Sequence, residues 1–305
     1  MEYIDNNSIE VSVMVTFYNQ AEYVKQTLES VLSQKTDFKY EVILGDDGSS
    51  DGTYELLLEW KEKYPDVFVV LQMPRDKDKK YEPIIRASNN RCNMLKHARG
   101  KYVTYLDGDD YYINDKKLQM QYELLEAHPD CAACGHNITM LWEKTRKTKK
   151  LGLNFNKTVI INKKDYWRYF YLHTDTLVFR NMYKGCTEQI EADIFDDNII
   201  TLYFIKSGNV IFIPEQMAVY RQLDGSSWNK RSEYERLMIN LKDYEDEKRV
   251  APQLTKQSQM RHISDIIRYY HFSGTKKDAR FIRLKIKEKI NYVVGKFVIL
   301  KYKFL

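Results

Sequence analysis

Proline and glycine are scarce, six and twelve in 305 residues, which leaves little room for long flexible linkers. Four cysteines (Cys92, Cys131, Cys134, Cys186) are too few for a disulfide scaffold and fit a reducing compartment. No uninterrupted apolar run approaches the roughly 18–20 residues that a membrane-spanning helix needs. The opening Met1-Glu2-Tyr3-Ile4-Asp5 is acidic and lacks the apolar stretch of a secretion signal, so the expectation is a cytoplasmic protein. No Gly-x-Gly-x-x-Gly follows the first apolar run, which argues against a dinucleotide-binding protein. A second cysteine pair that would complete a zinc site with Cys131-Ala132-Ala133-Cys134 is also missing. The net charge of +5 is modest and does not by itself imply nucleic acid.

What is present is a globular composition, 43% hydrophobic and 30% charged, in a chain long enough for one large α/β domain with a smaller helical appendage. Val11 to Phe17 is a β-branched apolar run and reads as a buried strand. Asn19 is placed to cap a helix whose apolar stripe is Val24, Leu28, Val31 and Leu32. Tyr40–Leu44 and Val67–Leu71 read as strands, with a helix capped by Asp51 between them. Pro83 opens a helix for which Gly100 is a candidate C-terminal cap, and Tyr102–Leu106 reads as a fourth strand. This alternation implies βαβ units and a mainly parallel sheet with flanking helices. Further on, Leu118–Ala127 reads as a helix and Cys131–Leu141 as a strand. Glu143–Lys150 reads as a basic turn that could join a hairpin, and Asp175–Arg180 and Val210–Ile213 as further strands. Beyond about Ser226 the pattern becomes helical and basic.

Three polar clusters fall at the carboxyl ends of strands, where open α/β sheets bind ligands. They are Thr16-Phe17-Tyr18-Asn19, Asp46-Asp47-Gly48-Ser49 and Asp107-Gly108-Asp109-Asp110. Three carboxylates within four residues repel one another unless a cation neutralises them. Mn²⁺ and Mg²⁺ prefer such oxygen ligands and bridge them to substrate phosphates, and Gly108 would let a diphosphate approach closely. Asp46 and Asp47 could accept hydrogen bonds from a base or ribose, or simply form an Asx turn. Tyr18 offers a ring for a base to stack on. A fourth group, Asp193-Ile194-Phe195-Asp196-Asp197, reads either as a general base in apolar surroundings or as the acidic start of a helix.

Together these segments resemble the family 2 glycosyltransferases over about residues 10–228. Asp46 to Thr53 is similar to the family's D-D-G-S-x-D-G-T signature, and Leu106-Asp107-Gly108-Asp109-Asp110 to its L-D-x-D-D. Asp196-Asp197, Ile213-Pro214-Glu215 and Tyr220-Arg221 are similar to its E-D, I-P-E and Y-R elements. The resemblance implies a GT-A fold over 1–228, with a nucleotide-sugar half (about 1–110) and an acceptor half (about 111–228), followed by a helical extension at 229–305. It implies a metal-dependent, inverting transfer from a nucleotide sugar, a UDP-sugar, to a glycan or lipid-linked acceptor in surface-polysaccharide synthesis. Thr16, Tyr18, Glu22, Asp46, Asp47, Arg91, Asp107 and Gly108 would bind the donor. Asp109 and Asp107 would hold Mn²⁺ or Mg²⁺. Asp197 would be the base, with Asp196 its partner, and Arg221 and Trp228 would lie on the acceptor side. The chain departs from the family at Cys92, where Asn is common, and at Gln222-Leu223-Asp224, where members often place a His.

Residues 276–305 carry ten Lys or Arg interleaved with Phe281, Leu284, Ile286, Ile290, Val293, Val294 and Phe297. Such a basic amphipathic stretch is suited to peripheral contact with the anionic cytoplasmic face of an inner membrane, or to an ordinary helix packed on the catalytic domain with a solvated basic face. Because the basic excess lies in this tail and not on one face of the core, no nucleic-acid partner is expected. The competing readings are a sugar nucleotidyltransferase, which usually has a Gly-rich basic loop where Phe17-Tyr18-Asn19-Gln20 stands, and an inactive sugar- or nucleotide-binding module.

Overall fold

The computed structural model describes residues 8–76, 78–163, 172–181, 184, 195–223 and 231–252. Contacts divide the chain into two compact units, Met1–Asp224 and Gly225–Leu305. The first opens with β1 (Ile9–Phe17), α1 (Ala21–Leu32), β2 (Lys39–Asp46), α2 (Thr53–Lys63), β3 (Phe68–Gln72), α3 (Pro83–His97) and β4 (Tyr102–Asp107). β5 (Tyr111–Tyr112), α4 (Lys117–Ala127), β6 (Cys131–Trp142), β7 (Lys147–Leu151) and β8 (Val159–Ile161) follow. A single 3-10 turn at Thr174–Thr176 leads into β9 (Val178–Arg180), then α5 (Asp197–Ser207) and β10 (Asn209–Gln222).

The strands form one sheet in the order β3-β2-β1-β4-β9-β6-β10-β5, with β7 on β6 and β8 on β10. β3, β2, β1 and β4 are all parallel. β9 enters antiparallel to both β4 and β6, while β6 and β10 are parallel. The expected α/β architecture, with its parallel nucleus, is therefore what the residues form. The apolar runs that define the central strands are wholly buried: Val11, Val13 and Val15 of β1, Val42 and Leu44 of β2, and Leu106 of β4 pack with Val24, Leu28 and Val31 of α1. Each such side chain contributes about 1.5–3 kcal/mol through burial. Cys131 and Cys134 are buried free thiols in β6. β6 and β7 pair as a hairpin, but the turn is shorter than the expected Glu143–Lys150, because Lys147–Leu151 is itself the second strand; the exposed Lys147, Lys149 and Lys150 on it discourage further strand pairing at that edge.

Three local expectations are corrected. Asn19 does not cap α1: its backbone is left-handed (φ 52°) and its side chain accepts from the Ser50 amide. The exposed amide of Ala21 donates instead to Asp51, which also accepts from the Thr53 amide, so one carboxylate takes the first amide of both helices beside their N-caps Gln20 and Gly52. Gly100 is not the terminal cap of α3. A side chain there would meet the Ser12 amide at 2.6 Å, so glycine is required by close packing on β1. Asp175 is not in a strand but in the 3-10 turn, and β9 begins at Val178.

In the second unit, α6 (Glu233–Val250) starts with a reciprocal capping box between Ser232 and Glu235. The basic stretch 276–305 lies outside the described residues. No helix among the described residues is long and apolar enough to cross a membrane.

Candidate active site

Strand register brings the polar clusters to one edge. Phe17 pairs with Asp46 and Thr16 with Asp107, so the ends of β2, β1 and β4 lie side by side. The Thr16 hydroxyl donates to Asp107 Oδ1 at 2.9 Å, and the Gly108 amide donates to the Thr16 carbonyl at 2.8 Å. Thr27 of α1 donates to the carbonyls of both Gly108 and Asp110, at 2.9 and 2.8 Å. A Cβ at Gly108 would stand 2.3 Å from Phe17 and 2.5 Å from the Thr16 carbonyl, so the close neighbour that demands glycine is the end of β1 itself.

Arg221 grips the same turn from behind. Its amide donates to Asp110 Oδ1 at 2.7 Å, and its guanidinium donates to the Asp109 carbonyl, to Gln26 and to Glu143. The side chain is 3% exposed and lies between the rings of Tyr23 and Tyr111. A guanidinium so fully engaged supports the turn.

The turn gathers three carboxyls within four residues. Burial, then Asp107 and Asp175, push the Asp109 carboxyl up to about 7. Behind it, burial and the neighbouring Asp175 push the Asp110 carboxyl well above the usual carboxylate range. Asp175 is wholly buried, yet the imidazolium of His173, with Nδ1 3.2 Å from Oδ2, keeps its carboxyl below the ordinary value. Burial alone would strip the His173 proton; Asp175 overrides it and lifts the pKa to about 9. Oxygen and nitrogen atoms of Asp110, His173 and Asp175 lie within 4.8 Å of one another. Two carboxyls and an imidazole so close together have the composition of a metal-ligand group. Asp107 and Asp109 likewise present carboxylate oxygens, the ligand type that suits a hard divalent cation.

Arg91 of α3 joins the turn to α5. Its Nη2 is 3.3 Å from Asp107 Oδ1 and 4.0 Å from Asp197 Oδ1. Burial works against its charge, but Asp107 and Asp197 override it and hold the guanidinium protonated. Asp196 is the N-cap of α5, accepting from the amides of Asn198 and Ile199 at 3.0 and 3.1 Å. Asp197, the first helical residue, is thereby released from capping and takes the Thr174 hydroxyl at 3.3 Å. Burial pushes its carboxyl above the ordinary value, opposed by Arg91 and His173.

At the β2 end, Asp46 is fully buried and accepts from the amides of Gly48 and Ser49, forming an Asx turn. Asp47 is held by Arg75 at 2.5 Å and Arg86 at 2.6 Å. Arg75 lies 3.9 Å from the centre of the Tyr18 ring, which is 45% exposed. Glu22 is exposed in the first turn of α1, beside the Tyr23 hydroxyl. Trp228 lies outside the described residues. Sequence reasoning missed Arg75, Arg86, His173, Thr174, Asp175 and Lys117. The polar run His173-Thr174-Asp175-Thr176 before a short apolar strand was the available signal for three of them.

The model for glycosyl transferase family 2 matches residues 12–186. An uncharacterized protein of Mycobacterium tuberculosis is 27% identical over 226 residues, covering 72% of this chain and 60% of its own length. The chain thus spans about 60% of the length of that curated relative. The putative teichuronic acid biosynthesis glycosyltransferase TuaG of Bacillus subtilis is 34% identical over 115 residues, 38% of this chain and 41% of TuaG. Staphylococcus aureus TarS 1–349 in complex with UDP shares the fold, with a TM-score of 0.60 at 16% identity over 94% of this chain and 79% of that one. More than half of the sequence falls within the family match, and the chain belongs to glycosyl transferase family 2, with the GT-A fold.

Proposed function

We propose that this chain transfers a sugar from a UDP-sugar to a hydroxyl of a glycan or lipid-linked acceptor, with inversion at the anomeric carbon. The observation that carries the reading is the single guanidinium of Arg91 lying between Asp107, at the donor edge, and Asp197, at the start of α5. It sets an acid suited to the donor and a basic carboxylate within one side chain's reach.

In this reading Tyr18, Asp47 and the Asp46 turn receive the nucleoside, with Thr16 and Glu22 beside it. Gly108 keeps the Asp107–Asp110 turn close against β1. Asp107 and Asp109 hold Mn²⁺ or Mg²⁺. When bound there, the cation supplies positive charge to the pyrophosphate of the leaving nucleoside diphosphate. Arg91 and Thr174 both contact Asp197 through Oδ1, so Oδ2 is the oxygen left for the acceptor. Asp197 takes the acceptor proton as the acceptor oxygen bonds to C1 and the bond from C1 to the phosphate oxygen breaks. A raised carboxyl pKa makes it a better base than an ordinary aspartate. Asp196 serves this step by capping α5, and Trp228 is assigned to the acceptor side.

The proposal places the donor-binding half at about 1–110 and the acceptor half at about 111–228. Synthesis of a bacterial surface polysaccharide is supported by the teichuronic acid role in the printed name of TuaG, and the UDP donor by the TarS complex. Peripheral membrane contact through 276–305 on the cytoplasmic face belongs to the same proposal. UDP release from UDP-glucose and UDP-N-acetylglucosamine, assayed with Mn²⁺ and with EDTA, tests it. Release that needs Mn²⁺ and is lost in Asp197→Asn supports the reading; release indifferent to both refutes it.

A further inference from the structure

We infer that Thr174 and Asp175 are positioning residues, which together fix the separation between the donor-side Asp107 and the base Asp197; this rests on the functional reading above. The two residues are consecutive and touch the two acids directly. Asp175 Oδ1 accepts from the Asp107 amide at 3.1 Å, and the Thr174 hydroxyl donates to Asp197 Oδ1 at 3.3 Å. The loop that carries them therefore spans the gap between the end of β4 and the start of α5 in one residue step.

The strut is rigid because every part of it is tied. Thr174, Asp175 and Thr176 are each 0–1% exposed. The 3-10 turn is closed by bonds from the Thr176 amide to the His173 carbonyl (2.9 Å) and from the Leu177 amide to the Thr174 carbonyl (3.0 Å). The Thr176 hydroxyl adds a third, to the His173 carbonyl at 2.7 Å. Gln121 of α4 donates to the carbonyls of Thr176 and Cys134, anchoring the turn to β6. His173 pairs with Asp175 at 3.2 Å and packs against the Tyr220 ring at 4.3 Å, anchoring it to β10.

Arg91 also joins the two acids, but through a long side chain and at 4.0 Å from Asp197. The strut is shorter and better supported, so it sets the distance while Arg91 balances charge. It also defines which oxygen of Asp197 works: the Thr174 hydroxyl occupies Oδ1 and leaves Oδ2 for the acceptor. A reacting carboxylate displaced by about 1 Å loses on the order of 100-fold in rate, so the hold of Thr174 on Asp197 should show in turnover and not in donor binding.

The test uses the full chain with Mn²⁺, reading UDP release from UDP-glucose and UDP-N-acetylglucosamine, UDP affinity by calorimetry, and thermal unfolding. Thr174→Val keeps the shape and removes the hydroxyl. It should lower kcat about 10- to 100-fold, with donor KM and UDP affinity within about twofold, and Thr174→Ser should restore kcat. Asp175→Asn weakens the hold on the Asp107 turn and should reduce UDP affinity in Mn²⁺ by about tenfold, which is readable without turnover. Wild-type kcat in Thr174→Val, or a kcat loss that Thr174→Ser does not restore, overturns the inference. So does unchanged UDP affinity in Asp175→Asn. Asp197→Asn separates the two levels. If it is inactive while Thr174→Val is normal, only the strut fails; if it turns over fully, the base assignment fails and the strut with it.

Discussion

The Thr16 hydroxyl donates to Asp107 Oδ1 across 2.9 Å, although 91 residues separate them in sequence. Parallel pairing of β1 with β4 makes this contact, and it aims the first carboxylate of the acidic turn. Thr16→Val keeps the volume and removes the donor. The lost hydrogen bond is worth about 1 kcal/mol, or roughly a fivefold weaker UDP affinity in Mn²⁺ by calorimetry. Equal affinities in the two proteins would show that Arg91 and Asp175 hold Asp107 in place without Thr16.

Arg221→Met should destabilise the fold more than it harms chemistry. It leaves the Asp109 carbonyl and Glu143 without their buried donor. The expected loss is about 2–3 kcal/mol, a fall of roughly 5–10 °C in the melting temperature of the purified protein. Arg221→Lys should recover little of it, because one ammonium cannot reproduce the fork that reaches Asp109, Gln26 and Glu143.

Much of this arrangement was legible in the residues. The strands at Val11–Phe17, Tyr40–Leu44 and Tyr102–Leu106 announced themselves as short β-branched or aromatic runs, and each ended in a polar cluster. What periodicity cannot show is where a polar side chain turns once the chain is folded. Asn19 has the chemistry of a cap, but its left-handed backbone sends it to Ser50 and leaves the work to Asp51. Arg75 and Arg86 lie 28 and 39 residues beyond Asp47 with no pattern linking them to it, yet both close on that carboxylate. His173, Thr174 and Asp175 have no apolar pattern of their own. Their role arises only because β9 inserts antiparallel beside β4, a pairing between distant segments that no local signal encodes.

Lys117 gives the pH dependence of stability a distinct signature. It is fully buried against the Tyr112 ring, 4.3 Å from its centre, and burial pulls its pKa down to about 7 from 10.5. Because the folded value lies below the unfolded one, the unfolded chain binds the extra proton between these pH values, and stability rises with pH across that window. Lys117→Met removes the effect. The variant should be more stable than the wild type near pH 7, and its advantage should shrink by up to about 1.4 kcal/mol per pH unit towards pH 10 in denaturant unfolding. A constant difference across that range would mean that Lys117 keeps its ordinary pKa when folded.

The central claim is that Asp107 and Asp109 bind a nucleoside diphosphate together with a divalent cation. Titration of UDP into the full chain by calorimetry, with Mn²⁺ and with EDTA, tests it most directly in the wild type and Asp109→Asn. Binding should be at least tenfold tighter with Mn²⁺ in the wild type, and Asp109→Asn should lose that enhancement. Binding of equal strength with and without Mn²⁺, unchanged in Asp109→Asn, would contradict it.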